Sequence, residues 1–213
     1  MSETRNPNAL LDVEGLTLWR GERCLFADLS FDLSPGEMLH ITGPNGCGKT
    51  SLLRVLCGLT MPETGDVRWR GEAVASSRVD YHQEMTYIGH RESLKAELTP
   101  QENLVCDLGL RRRLGTDTVL RALSDVGLEA QRDISVRGLS AGQKRRVSLA
   151  RCLASSARLW VLDEPYTNLD VAGRDLVDHL MARHVEADGM ILLVAHQNHG
   201  VRSGKTRRLE MKA

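Results

Sequence analysis

The chain has 213 residues, with 28 Lys plus Arg balanced by 28 Asp plus Glu, and only 4% of it is aromatic. That length suits one domain, or one domain carrying an insertion, and is ample for a hydrophobic core. A neutral chain with few aromatics lacks the basic excess and the stacking surfaces expected of a nucleic-acid binder. No apolar run approaches the roughly 20 residues that cross a bilayer, and the polar residues 1–7 are unlike a signal peptide. A soluble or peripheral protein is expected. Five cysteines (Cys24, Cys47, Cys57, Cys106, Cys152) form an odd set without C-x-x-C spacing. This argues against a disulfide framework or a zinc site, and for a reducing cytoplasm. The basic clusters Arg111-Arg112-Arg113 and Lys144-Arg145-Arg146 read as solvated faces.

In chain order, residues 10–18 read as a strand, 19–23 as a turn and 24–33 as a second strand ending at Ser34-Pro35-Gly36. Met38-Leu39-His40-Ile41-Thr42 is a short apolar strand. It leads into Gly43-Pro44-Asn45-Gly46-Cys47-Gly48-Lys49-Thr50. Ser51 opens a helical stretch in which Leu52, Leu53 and Leu56 share a face. G-x-x-x-x-G-K-[ST] between a strand and a helix is a phosphate-binding loop. The glycines let the backbone turn tightly and aim several N–H groups at one spot, where the helix dipole adds positive potential. Lys49 can reach the outer phosphates and the Thr50 hydroxyl can bind Mg²⁺. Residues 43–51 are therefore the candidate nucleotide cradle.

Beyond it, residues 61–65 form a turn, 66–70 a short strand, 71–84 a polar loop with at most a short helix, and 85–89 a buried strand. Thr99-Pro100-Gln101-Glu102 is a helix start with cap, proline and returning carboxylate in order. A second helix over 116–126 stops at Gly127, so residues 91–140 read as an inserted helical subdomain. A further helix covers 140–153. Residues 159–163 and 190–195 are continuous apolar strands, as expected of parallel strands buried on both faces. Between them, 171–185 is helical, with Leu176, Val177 and Leu180 on one side. Residues 206–212 read as a last edge strand. The fold class is α/β: a P-loop core with a mostly parallel sheet, an antiparallel β part on the N-terminal side and the helical insert, all within one domain over 1–213.

A phosphate-binding loop needs an acid that ends a buried strand and serves Mg²⁺. Asp163 stands there, and Glu164 beside it can polarise a water for attack. Leu139-Ser140-Ala141-Gly142-Gln143 is a second small-residue turn opening a helix, where the Ser140 hydroxyl, the Gly142 N–H and the dipole make another anion site. Two readings stand: a plain capped helix start, or a site for the nucleotide held by a partner subunit. His196 ends the last apolar strand. It is either a polar strand terminus or a contact to the γ-phosphate. Thr167-Asn168-Leu169-Asp170 could place Asp170 at a subunit interface. The stretch Gly200-Val201-Arg202-Ser203-Gly204-Lys205-Thr206 mimics a second phosphate loop. Its spacing is one residue short and no helical pattern follows, so it reads as a basic loop.

These five motifs, in this order, resemble the nucleotide-binding domain of ATP-binding cassette proteins over nearly the whole chain. The resemblance implies a head-to-tail dimer of two copies closing around two ATP. It implies phosphate binding by Lys49 and the residue 46–50 backbone, Mg²⁺ at Thr50 and Asp163, Glu164 as base, and His196 as the switch histidine. Ser140, Gly142 and Gln143 would reach the other subunit's nucleotide, and Asp170 would lie in the dimer-contact loop. Three positions depart from the family pattern. Ala141 replaces a glycine, a mild change at ordinary backbone angles and a costlier one at positive φ. His90 stands where a glutamine serves Mg²⁺ or its water, and could do so only when neutral. The adenine-stacking aromatic is replaced by Arg20, with Trp19 adjacent. Tyr87-Ile88-Gly89-His90, Glu97-Leu98-Thr99 and the run after Gln143 resemble, more narrowly, the haem-exporter ATP-binding subunits of bacterial cytochrome c maturation. That implies integral-membrane partner subunits, a peripheral place on the cytoplasmic face of the inner membrane, and no nucleic acid. The alternatives are an exporter of another small substrate, a soluble cassette ATPase, a metabolite kinase and a slowly hydrolysing regulatory subunit.

Overall fold

The computed structural model describes residues 8–109, 115–195 and 205–212. Strands β1 (Leu11–Arg20), β2 (Arg23–Leu33), β4 (Thr64–Trp69) and β5 (Glu72–Ala73) form an antiparallel sheet in the order β2-β1-β4-β5. Strands β3 (Glu37–Thr42), β6 (Met85–Ile88), β7 (Leu159–Asp163), β8 (Met190–Val194) and β9 (Lys205–Glu210) form a parallel sheet in the order β6-β7-β8-β3-β9. Six α-helices and two 3₁₀ turns (Glu129–Gln131 and Val136–Gly138) complete the described residues; the α-helices are α1 (Lys49–Leu56), α2 (Arg78–Glu84), α3 (Pro100–Gly109), α4 (Thr116–Asp125), α5 (Ala141–Ser155) and α6 (Val171–Glu186).

Every residue of β3, β7 and β8 is buried, which explains the continuous apolar runs of β7 and β8; β3 also buries Glu37, His40 and Thr42. The pleat then divides the side chains between two cores. Ile191 and Leu193 face the cluster built with Val147, Trp160 and Leu162, under α3 to α6. Met190, Leu192 and Val194 face Leu52, Leu56 and the inner side of the antiparallel sheet, including Leu11, Leu16 and Trp69. α1 is short, and its last carbonyls accept from side chains of α2: the Tyr81 hydroxyl bonds Leu56 O at 2.9 Å and His82 Nε2 bonds Cys57 O at 2.8 Å. Residues 71–84, expected as a polar loop with at most a short helix, thus supply β5 and a helix that caps α1. α3 begins as its sequence indicates: Thr99 N and Oγ1 donate to Glu102, and Glu102 N donates back to Thr99 Oγ1. The hairpin between β1 and β2 is tighter than expected, because Trp19, Arg20 and Arg23 belong to the strands. All five cysteines are free thiols, and no described helix is long and apolar enough to cross a membrane.

The cluster Lys144-Arg145-Arg146 is not a solvated face. Arg145 is 1% exposed, because it sits on the side of α5 that packs against the ends of β6 and β7. The cluster at 111–113 lies outside the described residues.

α6 is fastened to the sheet by a stack: the His184 and Trp160 rings lie 3.8 Å apart at 9°, and His184 Nε2 donates to Arg158 O at 3.1 Å. Burial pushes this imidazole down from 6.5 to about 4, against the pull of its backbone hydrogen bonds. The unfolded chain therefore binds a proton more readily than the folded one between those values, and the His184 contribution to stability is complete above pH 6.5 and lost as pH falls toward 4. The thermal midpoint should fall less steeply between pH 6.5 and 5 in His184→Phe than in wild type. Equal slopes in a pH series of melting curves would contradict this assignment.

Candidate functional site

β8 lies between β3 and β7, so the carboxyl ends of β3 and β7 flank one crevice, the position where open α/β sheets bind ligands. The loop after β3 turns on glycines that no other residue could replace. Gly43 stands at φ 149, and a methyl group there would come within 2.5 Å of the Met211 carbonyl oxygen and 2.9 Å of Cys47 Sγ. Gly48, the N-cap of α1, stands at φ 104 against Leu25. The loop leads straight into Lys49, the first residue of α1. Lys49 folds over it, with Nζ donating to Gly43 O at 2.8 Å and Pro44 O at 3.0 Å.

Across the crevice, Asp163 is the last residue of β7 and is 1% exposed. The Thr50 hydroxyl donates to its Oδ2 at 2.9 Å. Burial pushes the Asp163 carboxyl up from its usual range, while the Thr50 bond and the charges of His90, Arg145 and Lys49 pull it down. Glu164 follows at φ 54, a left-handed backbone whose N–H is held by Val194 O at 2.8 Å. One cleft is lined by Asn45, Gly46, Gly48, Lys49, Thr50 and Ser51 on one side and by Asp163, Glu164 and His90 on the other, with Arg20, Leu25 and Val194 at its margins. The oxygen donors of Thr50 and Asp163 suit a hard cation such as Mg²⁺. That ion takes one or two protein oxygens and completes its shell with phosphate and water. No cluster of three or more His, Cys, Asp or Glu that could hold a metal by itself occurs among the described residues.

The expected residues thus separate into groups. Gly43 and Pro44 shape the loop without lining the cleft. Trp19, 48% exposed, is absent from the cleft. Strand alternation turns it away where Arg20 faces in. Ser140, Gly142 and Gln143 do not line it either. They open α5 with a capping box: Ser140 Oγ accepts from Gln143 N at 3.2 Å, and Ser140 N donates to Gln143 Oε1 at 2.9 Å. Ala141 is the first residue of that helix and its φ is not positive, so its methyl group is tolerated. A side chain at Gly142 would meet Asn168 O at 3.0 Å. That contact packs the helix start against the loop ending at Asp170, which caps α6 through Gly173 N and pairs with Arg146 at 3.6 Å. His196 and residues 200–204 of the basic loop lie outside the described residues. The carbonyl just before His196, that of Ala195, accepts from buried His40 Nε2 at 3.2 Å.

Sequence reading missed Arg145, Leu25 and His40. Arg145 carried no signal that separates it from Lys144 and Arg146, since three consecutive helical positions span about 200° and can all clear a core stripe about 100° wide. For Leu25 the sequence held none. Cys47 lies within the phosphate loop, yet its thiol is buried. It is 1% exposed and packs with Leu52 and Leu53 beneath the loop. Thiol reagents should therefore modify Cys47 far more slowly in the native protein than in the urea-denatured chain. Rapid native labelling, read by mass spectrometry and blocked by ATP, would contradict this placement.

Comparison with known proteins agrees with the geometry. The family model described as ABC transporter matches residues 26–167. The cytochrome c biogenesis ATP-binding export protein CcmA of Methylococcus capsulatus is 48% identical over 205 residues, covering 96% of this chain and 99% of that protein. Its counterpart in Escherichia coli O157:H7 is 45% identical over 202 residues, covering 95% and 96%. Among solved structures, the ATP-binding subunit of an ABC transporter superposes with a TM-score of 0.83 at 23% identity, covering 96% of this chain and 88% of that one. A dimeric ATP-binding cassette bound to ADP and Pi gives 0.84 at 22%, covering 94% and 96%. These two structures support the fold, an α/β P-loop core. The chain belongs to the ABC transporter family.

Proposed function

We propose that the chain is the ATP-hydrolysing subunit of a membrane export complex serving cytochrome c biogenesis, powering the export or release of haem for c-type cytochrome maturation. The observation that carries the hydrolytic reading is the single cleft that joins Lys49 and Thr50 of the phosphate loop to Asp163 and Glu164 across the sheet. The export role rests on the similarity to cytochrome c biogenesis ATP-binding export proteins over almost the full length of both chains.

In this reading the amides of residues 46–50 and the α1 dipole bind the phosphates, and Lys49 swings from the loop carbonyls to the outer phosphate oxygens. Thr50 and Asp163 hold Mg²⁺, which when bound neutralises charge on the β- and γ-phosphate oxygens. Glu164 accepts the proton of the attacking water. His90, exposed at the cleft, would contact Mg²⁺ or a water of its shell when neutral. Arg20 lies flat against the base by its guanidinium plane. Ser140, Gly142 and Gln143 complete the nucleotide site of a second copy, Asp170 sits at that interface, and His196 contacts the γ-phosphate. Separate integral-membrane subunits hold it at the cytoplasmic face of the membrane.

Glu164→Gln should keep ATP affinity while turnover falls about 10² to 10⁴-fold. Near-wild-type turnover would remove Glu164 from the base role. The composite site is tested by mixing two inactive variants, Lys49→Ala and Ser140→Arg. A head-to-tail hybrid contains one site with both defects and one with neither, so mixing should restore turnover that neither parent has. No recovery, with hybrid formation verified by mass, would refute the two-chain site.

A further inference from the structure

Arg145 is almost wholly buried, yet it stands between two basic neighbours near the start of α5. Its guanidinium is spent on backbone carbonyls from two separate segments. Nε donates to Pro165 O at 3.1 Å, Nη2 to Asp163 O at 3.0 Å and Glu164 O at 2.6 Å, and Nη1 to Gly89 O at 3.0 Å. Burying a guanidinium is costly unless its donors are met. Here they are met by the strand-end acids' own backbone and by the carbonyl that precedes His90. Burial lowers the readiness of this group to stay charged, and the nearby Glu92, Asp163 and Glu164 oppose that.

We propose that Arg145 is a positioning residue for hydrolysis. It fixes the backbone that aims Glu164 into the nucleotide cleft, holds the His90 segment beside it, and couples both to the helix that begins at Ser140. Two features make the geometry more than core packing. Glu164 occupies a left-handed conformation that a residue with a side chain adopts only when its surroundings enforce it. The enforcing bonds are Val194 O on its N–H and Arg145 on its carbonyl. The acceptors on residues 163–165 and Gly89 also demand a planar fork, which an ammonium cannot reproduce. A shift of α5 is thereby transmitted to the carboxylate of Glu164 and to His90 at once.

This inference rests on Glu164 acting as the base, so the test runs Arg145→Lys and Arg145→Gln beside Glu164→Gln and the double variant Glu164→Gln/Arg145→Lys, all as full-length protein. Thermal midpoint, ATP affinity and single-turnover hydrolysis are read for each. The expected result is a folded Arg145→Lys with ATP affinity within about twofold of wild type and kcat lower by about tenfold or more, as small misplacements of a reacting group produce. The same substitution should lower the residual rate of Glu164→Gln no further. Wild-type kcat in both folded Arg145 variants, a multiplicative loss in the double variant, or a loss confined to KM would overturn the proposal. Failure of both variants to fold would overturn it too, since Arg145 would then be a core strut. Undiminished turnover in Glu164→Gln overturns the base assignment and this inference together. Lost turnover there beside normal turnover in both Arg145 variants overturns this inference alone.

Discussion

Three strands whose every residue is buried have only one stable place in a domain of this size: side by side in the middle of a parallel sheet with cover on each side. β3, β7 and β8 obey that constraint, and much else follows from it. With β8 in the middle, the phosphate loop and the acid pair emerge from strands two places apart, leaving a gap the width of one strand between them. The gap is closed at its floor by Thr50 and Asp163. No residue of the loop has to be long to reach the acids, because the sheet brings the strand ends to the same edge. The loop can therefore consist of glycines and small residues whose purpose is to point amides.

The same burial that fixes Asp163 makes its negative charge expensive, and the site answers with positive potential from two directions: Lys49 approaches from the loop and Arg145 from beneath. Of these, Arg145 spends its hydrogen bonds on carbonyls rather than on the carboxylates themselves. Its charge is thus felt by Asp163 without an ion pair that would compete with a metal for the same oxygens. That division of labour is open to a guanidinium with several fixed donors and closed to a lysine.

The sequence made the architecture legible because its signals were local and redundant. Apolar runs of five or six residues, a glycine loop between a strand and a helix, and Thr99 facing Glu102 each determine structure from neighbours in the chain. Less legible was anything set by the side of an element on which a residue falls. Arg145 looks like part of a solvated triplet until α5 is packed, and one helical position decides that it turns inward while Lys144 and Arg146 do not. Cys47 sits among loop residues that face the cleft, but the tight turn at Gly48 rotates its side chain beneath the loop. Trp19 and Arg20 differ by a single strand position, and the pleat alone decides which faces the cleft. α2 showed only as a short helix within a polar stretch because its buried face is one tyrosine, whose hydroxyl replaces a helical hydrogen bond at the end of α1.

The start of α5 raises a question that its hydrogen bonds answer. The capping box engages Ser140 twice, since the hydroxyl accepts from Gln143 N and the Gln143 side chain accepts from Ser140 N. A serine hydroxyl accepts and donates at once. Accepting from Gln143 fixes where its oxygen lies and leaves its proton to be given outward. The box likewise satisfies the amides of residues 140 and 143, while those of Ala141 and Gly142 lie in the first turn, where a helix offers them no internal acceptor. The cap therefore orients a small array of donors on an exposed helix start, outside the cleft of its own chain. Gly142 sits so close to Asn168 O that a side chain there would push the array off the loop supporting it. An array of this kind is complementary to an oxyanion, which is what the composite site proposed above would ask of it.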